Sequence, residues 1–155
     1  MSPMSGSGDD LRQKLSAYRP SGPHDERFRE RMLRLLDTGE LAFRQDSYLP
    51  GHFTASAFIL APDRAALLLI LHAKLGRWLQ PGGHVEPSDA DLLAAARREA
   101  REEVGLADLE LAHPGILDLD IHAIAPRAPA PAHQHFDVRF LFRARSAELR
   151  PASDA

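Results

Sequence analysis

The most informative stretch of this chain runs from Pro81 to Leu106 and reads PGGHVEPSDADLLAAARREAREEVGL. It opens with two adjacent glycines, continues through a polar loop, and becomes rich in Ala, Leu, Arg and Glu before Gly105. These four residue types favour helix, and a glycine just after the last helical residue is a common helix stop. Ser88 and Asp89 are both suitable N-caps. The stretch therefore predicts a glycine loop followed by a helix over residues 88–104.

Three carboxylates share one face of this predicted helix. At about 100° per residue, Glu102 and Glu103 fall on either side of Glu99 within an arc of about 100°. Glu99 and Glu103 are a like-charged i,i+4 pair that costs about 0.2–0.5 kcal/mol, and all three acids lie near the negative end of the helix dipole. A bound divalent cation would reverse both penalties. The alternative interpretation is a solvated charged helix, in which Arg98 neutralises Glu102.

The neighbouring face of the same helix is apolar and is expected to pack on a sheet. Its side chains are small or aliphatic: Leu93, Ala96, Ala100 and Val104. Arg97 and Arg101 are expected to point outward. The three carboxylates would then lie at the border of the hydrophobic core.

With its glycines and Leu106, this stretch resembles the Nudix box, whose pattern is Gly, five residues, Glu, seven residues, then Arg-Glu-aliphatic-x-Glu-Glu-x-Gly-aliphatic. The residues from Arg98 to Leu106, REAREEVGL, match the second half of the pattern in full. In the first half, Gly83 is followed after five residues by Asp89 instead of Glu, and eight residues then precede Arg98. Counting back from Arg98 places Ala90 at the first Glu position. The departure falls in the loop or the first helical turn and leaves the carboxylate positions intact.

The resemblance implies an α/β fold of the Nudix type, an αβα sandwich with a mixed sheet. It also implies an enzyme, a Mg²⁺-dependent hydrolase, with Mn²⁺ as an alternative metal, that cleaves the pyrophosphate bond of a nucleoside diphosphate linked to another moiety. The implied metal ligands are Glu99, Glu102, Glu103 and the carbonyl of Gly82, while Arg98 would orient a glutamate. Water would attack phosphorus, and either Glu102 or Glu103 would act as general base. The alternative function is a catalytically weak Nudix-fold module that binds nucleotides or regulates.

Candidate substrate-binding residues lie in the glycine loop and on the later strands. Gly83 and His84 belong to the loop, where the missing glycine side chain lets a phosphate come close to the backbone. The others come from the C-terminal half: His122, His133, His135 and Asp137. Because His135 and Asp137 alternate with phenylalanines, they share one polar strand face. That face is interpreted either as a substrate-facing or second metal-binding edge, or as a solvated strand end.

Composition restricts the class of protein. The chain has 155 residues, 44% of them apolar, which suits one domain with a real core. Its net charge of −3 gives no basic excess for binding a nucleic-acid polymer. The absence of cysteine excludes thiolate metal sites and leaves His, Asp and Glu as metal ligands. Without an export signal or an apolar run near the ~20 residues that span a membrane, we expect a soluble cytoplasmic protein without membrane partners.

The rest of the chain divides into a flexible tail, residues 1–10, and a single domain, residues 11–155. A helical segment is expected over 11–45, with its first helix beginning behind Asp9 and Asp10, and the core over 52–145. Aromatic and β-favouring residues predict a strand at 53–60, and an almost continuous apolar run predicts another at 66–71. Alternating apolar and polar residues predict strands within 109–124 and at 136–143, with a Pro/Ala-rich loop at 125–132. Trp78 could stack on a base, but it is expected to pack against other side chains instead.

The C-terminal end is too short for the second long helix of the sandwich, since strand residues run to about Ala144. This C-terminal helix is therefore expected to be missing or replaced. Either the chain is truncated, or the N-terminal helices cover the exposed sheet face, or a partner chain does. We expect a homodimer.

Overall fold

The helices lie in the N-terminal third and in the middle of the chain. The computed structural model describes residues 3–146, with side chains described from residue 8 onward. The helical elements, all but one α-helical, are α1 Pro3–Ala17, α2 Pro23–Leu36, a short 3₁₀ helix Gly39–Phe43, and α3 Leu92–Val104.

Within residues 3–146, eight strands form one mixed sheet and one small hairpin. They are β1 Gly51–Leu60, β2 Leu67–Leu68, β3 Ile70–His72, β4 Arg77–Leu79, β5 Gly82–His84, β6 Leu109–Leu111, β7 Asp118–Ile124 and β8 His133–Ala144. The long strands β1 and β8 pair in parallel at the centre. Strands β2 and β5 add to β1, and β6 and β7 add to β8, all antiparallel. Strands β3 and β4 form a separate antiparallel pair. The predicted α/β fold with a mixed sheet is confirmed.

The central strands carry an apolar and a polar face. Phe53 of β1 is in register with Phe136 of β8, and the alternate residues of both strands continue the apolar face. One residue away, His52 is in register with His135, and this second face is polar near the start of both strands. The strict alternation of β8 is the pattern that predicted this strand from sequence.

Helical segments from both parts of the chain contact the apolar face. The ring of Phe43, in the 3₁₀ helix, lies 5.4 Å from that of Phe53. The guanidinium of Arg97, in α3, stacks over Phe142 at 4.9 Å and also donates to a backbone carbonyl, so the prediction that Arg97 points outward is wrong. Its aliphatic stem and planar head cover the sheet, as long basic side chains often do.

Helix α3 begins later than the sequence predicts. Its N-cap is Asp91, whose carboxylate accepts a hydrogen bond from the amide of Ala94 at 2.7 Å, and not Ser88 or Asp89. Asp89 lies before the helix, and its carboxylate binds the guanidinium of Arg98 instead of capping the first turn. At the other end, Gly105 has a φ of 71° and closes the helix as predicted.

Three further expectations need correction or completion. Helix α1 already includes residues from Pro3 on, so it begins before Asp9 and Asp10, and no element boundary falls at the end of the tail predicted over 1–10. Trp78 is not in the core, since 64% of it is exposed on the β3–β4 hairpin. The prediction of a missing C-terminal helix concerns residues 147–155, which lie outside the described residues. Over residues 3–146, no helix has the length and apolarity needed to cross a bilayer.

Candidate active site

A buried ion pair fixes α3 against the glycine loop. Arg98 and Asp89 are both buried, and the two oxygens of Asp89 accept from Nε and Nη2 of Arg98, each at 3.0 Å. Nη2 also donates to the carbonyl of His84 at 2.8 Å. One guanidinium therefore binds the helix to the loop and to the end of β5. From the sequence, Asp89 is an N-cap candidate and the residue at which the motif departs from its pattern, and neither role predicts this ion pair.

The remaining nitrogen of Arg98 is directed at two glutamates. Its Nη1 donates to Glu99 at 3.1 Å and to Glu102 at 3.0 Å. The side chain of Glu99 is 14% exposed, whereas that of Glu102 is 52% exposed. The predicted contact between Arg98 and Glu102 is present, but the guanidinium is buried and shared. The interpretation of α3 as a simple solvated charged face does not describe this arrangement.

Gly82 and Gly83, predicted on a loop, belong to strand β5 and lie against the other side of these carboxylates. The amide of Gly82 donates to Glu103 at 3.3 Å. A Cβ on Gly83 would stand 2.7 Å from a carboxylate oxygen of Glu99. Because any side chain at Gly83 would displace Glu99, the close approach requires glycine at this position. The loop and the helix together place Glu99, Glu102 and Glu103 at one edge of the sheet, as the helical spacing predicts.

Burial and neighbouring acids change the protonation of Glu103. Burial, a hydrogen bond with Glu99 and the charges of Glu99 and Glu102 raise the pKa of Glu103 to about 7, although the Gly82 amide lowers it. A carboxyl in this position holds a proton near neutral pH unless a cation takes its place. The set contains only oxygen donors, the ligands that Mg²⁺ prefers.

Five histidine rings gather on the polar face of the sheet, next to this edge. They comprise four residues that the sequence marks as candidates and one that it missed: His84, His122, His133, His135 and His52. His52 lies on β1 directly opposite His135 of β8, at a distance of 83 residues along the chain. Only the pairing of these two strands brings His52 to the group.

Comparison with known proteins places the chain in a family. The NUDIX domain model matches residues 50–155, which include the loop, α3 and both central strands. The chain belongs to the NUDIX domain family. As a Nudix hydrolase it acts on pyrophosphate bonds. No curated protein sequence matches it.

Several solved structures resemble this Nudix domain. A NUDIX family hydrolase from Clostridium perfringens is 31% identical, with 66% of this chain and 74% of that chain covered and a TM-score of 0.46. The dihydroneopterin triphosphate pyrophosphohydrolase of E. coli is 18% identical over 64% of this chain and 73% of that chain, with a TM-score of 0.50. The C. elegans Ap4A hydrolase, as a binary complex, is 19% identical over 64% and 72%, also with a TM-score of 0.50. The last two likenesses concern the fold.

Asp137, a predicted substrate-binding residue of the Nudix domain, is buried in a network within the sheet. Its carboxylate accepts from Thr54 at 2.9 Å, from Ser56 at 2.8 and 2.9 Å, and from Arg139 at 3.1 Å. Asp137 shares the face of His135 as predicted, yet both of its oxygens are used by neighbouring side chains. Its observed contacts are therefore with β1 and with its own strand.

A cavity of about 870 Å³ opens beside the histidine rings of the Nudix domain. His84, His133 and His135 form part of its wall, and residues of the 125–132 loop form another part. Tyr48 also lines the cavity, and its ring lies 5.0 Å from that of His133. This volume suits a small organic ligand. His122 lies at the margin of the group, exposed, with its Nδ1 2.9 Å from Asp120.

Proposed function

We propose that this Nudix hydrolase uses Mg²⁺, or Mn²⁺ in its place, to cleave the pyrophosphate bond of a nucleoside diphosphate linked to another moiety. The observation that carries the proposal is the convergence of Glu99, Glu102 and Glu103 beside the glycine loop. Burial, helped by the hydrogen bond with Glu99 and the charges of Glu99 and Glu102, raises the pKa of Glu103 to about 7, and a bound cation would favour its charged form. We also propose that the protein is cytoplasmic.

The residues present fit a divalent metal ion. Carboxylates of the three glutamates are the donors, and the carbonyl of Gly82 is a further candidate. A cation would compensate the negative charges of Glu99 and Glu103, which otherwise form a hydrogen bond with each other. The space that a side chain on Gly83 would fill is kept open against Glu99. When bound, Mg²⁺ would neutralise charge on the pyrophosphate and lower the pKa of a water molecule used for attack at phosphorus.

The chain's own side chains have separable roles in this proposal. Arg98 orients Glu99 and Glu102 through Nη1, while Asp89 holds the guanidinium from the other side. Glu103, hydrogen-bonded to the Gly82 amide, and the more exposed Glu102 remain the two candidates for the general base. Attack by water in line with the leaving oxygen would release two phosphate-bearing products.

The cavity beside His84 is the proposed binding site for the part of the substrate that lies beyond the pyrophosphate. His84 connects the glutamate site with the cavity, because its carbonyl accepts from Arg98 and its ring lines the cavity. The proposed substrate-binding residues are Gly83, His84, His133 and His135, with His122 at the margin. Asp137 is left out because the sheet network occupies its carboxylate.

The alternative of a catalytically weak module is based on the looser first half of the sequence motif and on the short C-terminal end. Asp89, the residue at the departure, forms the buried pair that holds Arg98. That contact favours an intact arrangement of the glutamates, and nothing in the described residues favours a regulatory module over a hydrolase.

A substrate screen tests the proposal. Purified protein is incubated with Mg²⁺ or Mn²⁺ and a panel that contains ADP-ribose, Ap4A, dihydroneopterin triphosphate and the nucleoside triphosphates, and phosphate-bearing products are measured. We expect metal-dependent cleavage of at least one compound, abolished by EDTA and restored by Mg²⁺. Binding of panel compounds without cleavage of any of them would instead support the non-catalytic module.

A further inference from the structure

Three imidazoles converge on one point at the start of the central strands. His52 on β1 and His133 and His135 on β8 each offer one ring nitrogen, and these nitrogens lie within 4.8 Å of one another. The parallel pairing of β1 with β8 sets His52 opposite His135, and the period of two puts His133 on the same face. Rigid paired strands thus present the three rings.

Two of these rings carry a buried nitrogen that lacks a partner. His52 is 1% exposed, and neither its Nε2 nor the Nε2 of His135 has a hydrogen-bond partner among the described residues. A buried polar atom left without a partner is unfavourable, because it has lost its hydrogen bond to water and gained none in return. Two such atoms, both in histidines of one cluster, indicate that the site takes a ligand.

The hydrogen bonds of the rings define which nitrogen is free. Nδ1 of His52 lies 3.0 Å from the carbonyl of Ser47, and Nδ1 of His133 lies 2.8 Å from that of Pro131. A carbonyl only accepts, so Nδ1 is the protonated nitrogen of both rings and Nε2 keeps its lone pair. Histidines that bind metals almost always donate their other N–H to a carbonyl or carboxylate in this way.

We propose that His52, His133 and His135 form a binding site for one transition-metal ion of the Zn²⁺ class, separate from the carboxylate site of α3. Three histidines with an open fourth position are a known donor set for zinc, whereas Mg²⁺ selects oxygen donors. The ring of His84, with its centroid 5.1 Å from His52 and 5.3 Å from His135, is the nearest further imidazole.

The position of the site suggests what the ion would do. His133, His135 and His84 line the cavity, so an ion held there would face a bound ligand. It would offer an anionic group of that ligand a positive charge at the cavity wall. The metal site itself does not rest on the proposed hydrolysis, and it can be tested without any substrate.

Zinc binding by the whole chain, freed of any affinity tag and of metal by chelation, is the test. Titration calorimetry with Zn²⁺ in excess Mg²⁺ should give one Zn²⁺ per chain. His133→Asn and His135→Asn should each weaken binding by more than about 100-fold, beyond the roughly 10–100-fold expected from loss of a group that only orients a ligand. His113→Asn, an exposed histidine outside the cluster, and Glu102→Gln should bind Zn²⁺ like the wild type.

A second measurement protects the test against unfolded variants. Zn²⁺ should raise the thermal midpoint of the wild type and of Glu102→Gln, but not that of His133→Asn, whose fold is checked by circular dichroism. The proposal is overturned if the wild type fails to bind stoichiometric Zn²⁺, or if both histidine variants keep full affinity. Loss of Zn²⁺ binding in Glu102→Gln would also overturn it, because the ion would then belong to the carboxylate site.

Discussion

Asp89 and Arg98 form a buried bidentate ion pair, in which Nε and Nη2 of the guanidinium each donate to one carboxylate oxygen at 3.0 Å. This pair directs Nη1 of Arg98 at the glutamates of α3. The position at which the sequence motif departs from its family pattern thus supports the functional helix.

Asp89→Ala should destabilise the fold strongly. The variant removes the buried carboxylate that binds Nε and Nη2 of Arg98 and leaves only the contacts of Nη1 with glutamates, and breaking a buried ion pair typically costs about 3–5 kcal/mol. Asp91→Ala is the matched control, since it removes only the N-cap of α3 and should cost about 0.5–2 kcal/mol. Urea denaturation of the three proteins measures both values. Equal losses for the two variants would argue against a structural role for the pair.

Gly83→Ala should separate folding from function. The added Cβ meets only the carboxylate end of Glu99, a flexible group that can move, so the thermal midpoint should change little. The moved carboxylate should weaken Mg²⁺ binding and lower kcat/KM by at least about tenfold. Gly82→Ala is the contrast, because its Cβ would meet Ser56 and the backbone of Ala55 and should destabilise the fold. An active Gly83→Ala enzyme would show that Glu99 need not lie where it does.

The metal-free protein should become less stable as pH rises, to the extent that Glu103 contributes. Burial and its neighbours raise the pKa of Glu103 from 4.5 to about 7, so the folded state binds this proton more tightly than the unfolded chain does. Between these two pH values the unfolding free energy therefore falls with increasing pH.

Glu103→Gln isolates that effect, because contributions of the histidines cancel between the two proteins. In EDTA, the thermal midpoint of the variant minus that of the wild type should increase from pH 5 to pH 8. Saturating Mg²⁺ should reduce the difference at pH 8. A difference that stays constant with pH would mean that Glu103 is already ionised at pH 5.

Much of the site could be predicted from local spacing. The helical period alone puts Glu99, Glu102 and Glu103 on one face, and Gly105 marks the end of the helix. His52 carries no such local signal, because its partners come from a strand 83 residues later and only the parallel register of β1 and β8 unites them. For Asp137 the strand face could be predicted from the sequence, but its burial could not, because it depends on contacts with Thr54 and Ser56 of β1.

Helix boundaries and exposure show the same dependence on tertiary contacts. Asp89 has the side chain of a good N-cap, but the buried Arg98 recruits it and Asp91 caps the helix instead. Trp78 has a large apolar side chain, yet it is exposed because it lies on the β3–β4 pair, which is separate from the main sheet.

A homodimer is expected, and the exposed apolar residues around the β3–β4 hairpin are consistent with one. These residues are Leu67, Leu69, Leu71, Leu75 and Trp78. Exposed apolar patches of this kind often mark interfaces. Multi-angle light scattering should give twice the chain mass, and Trp78→Ser combined with Leu71→Ser should shift it toward the monomer. A monomeric mass of the wild type across a wide concentration range would contradict the dimer.

The most direct test of the carboxylate site is the rate of hydrolysis by Glu102→Gln in saturating Mg²⁺, with the best substrate of the screen. Glu102 is half-exposed, so the variant should fold normally, and Arg101→Gln, an exposed change on the same helix, serves as the control. We predict that kcat falls by roughly 100-fold or more in Glu102→Gln, as for loss of a catalytic carboxylate, and is unchanged in Arg101→Gln. Full Mg²⁺-dependent activity of Glu102→Gln would contradict the assignment of this glutamate to the metal site.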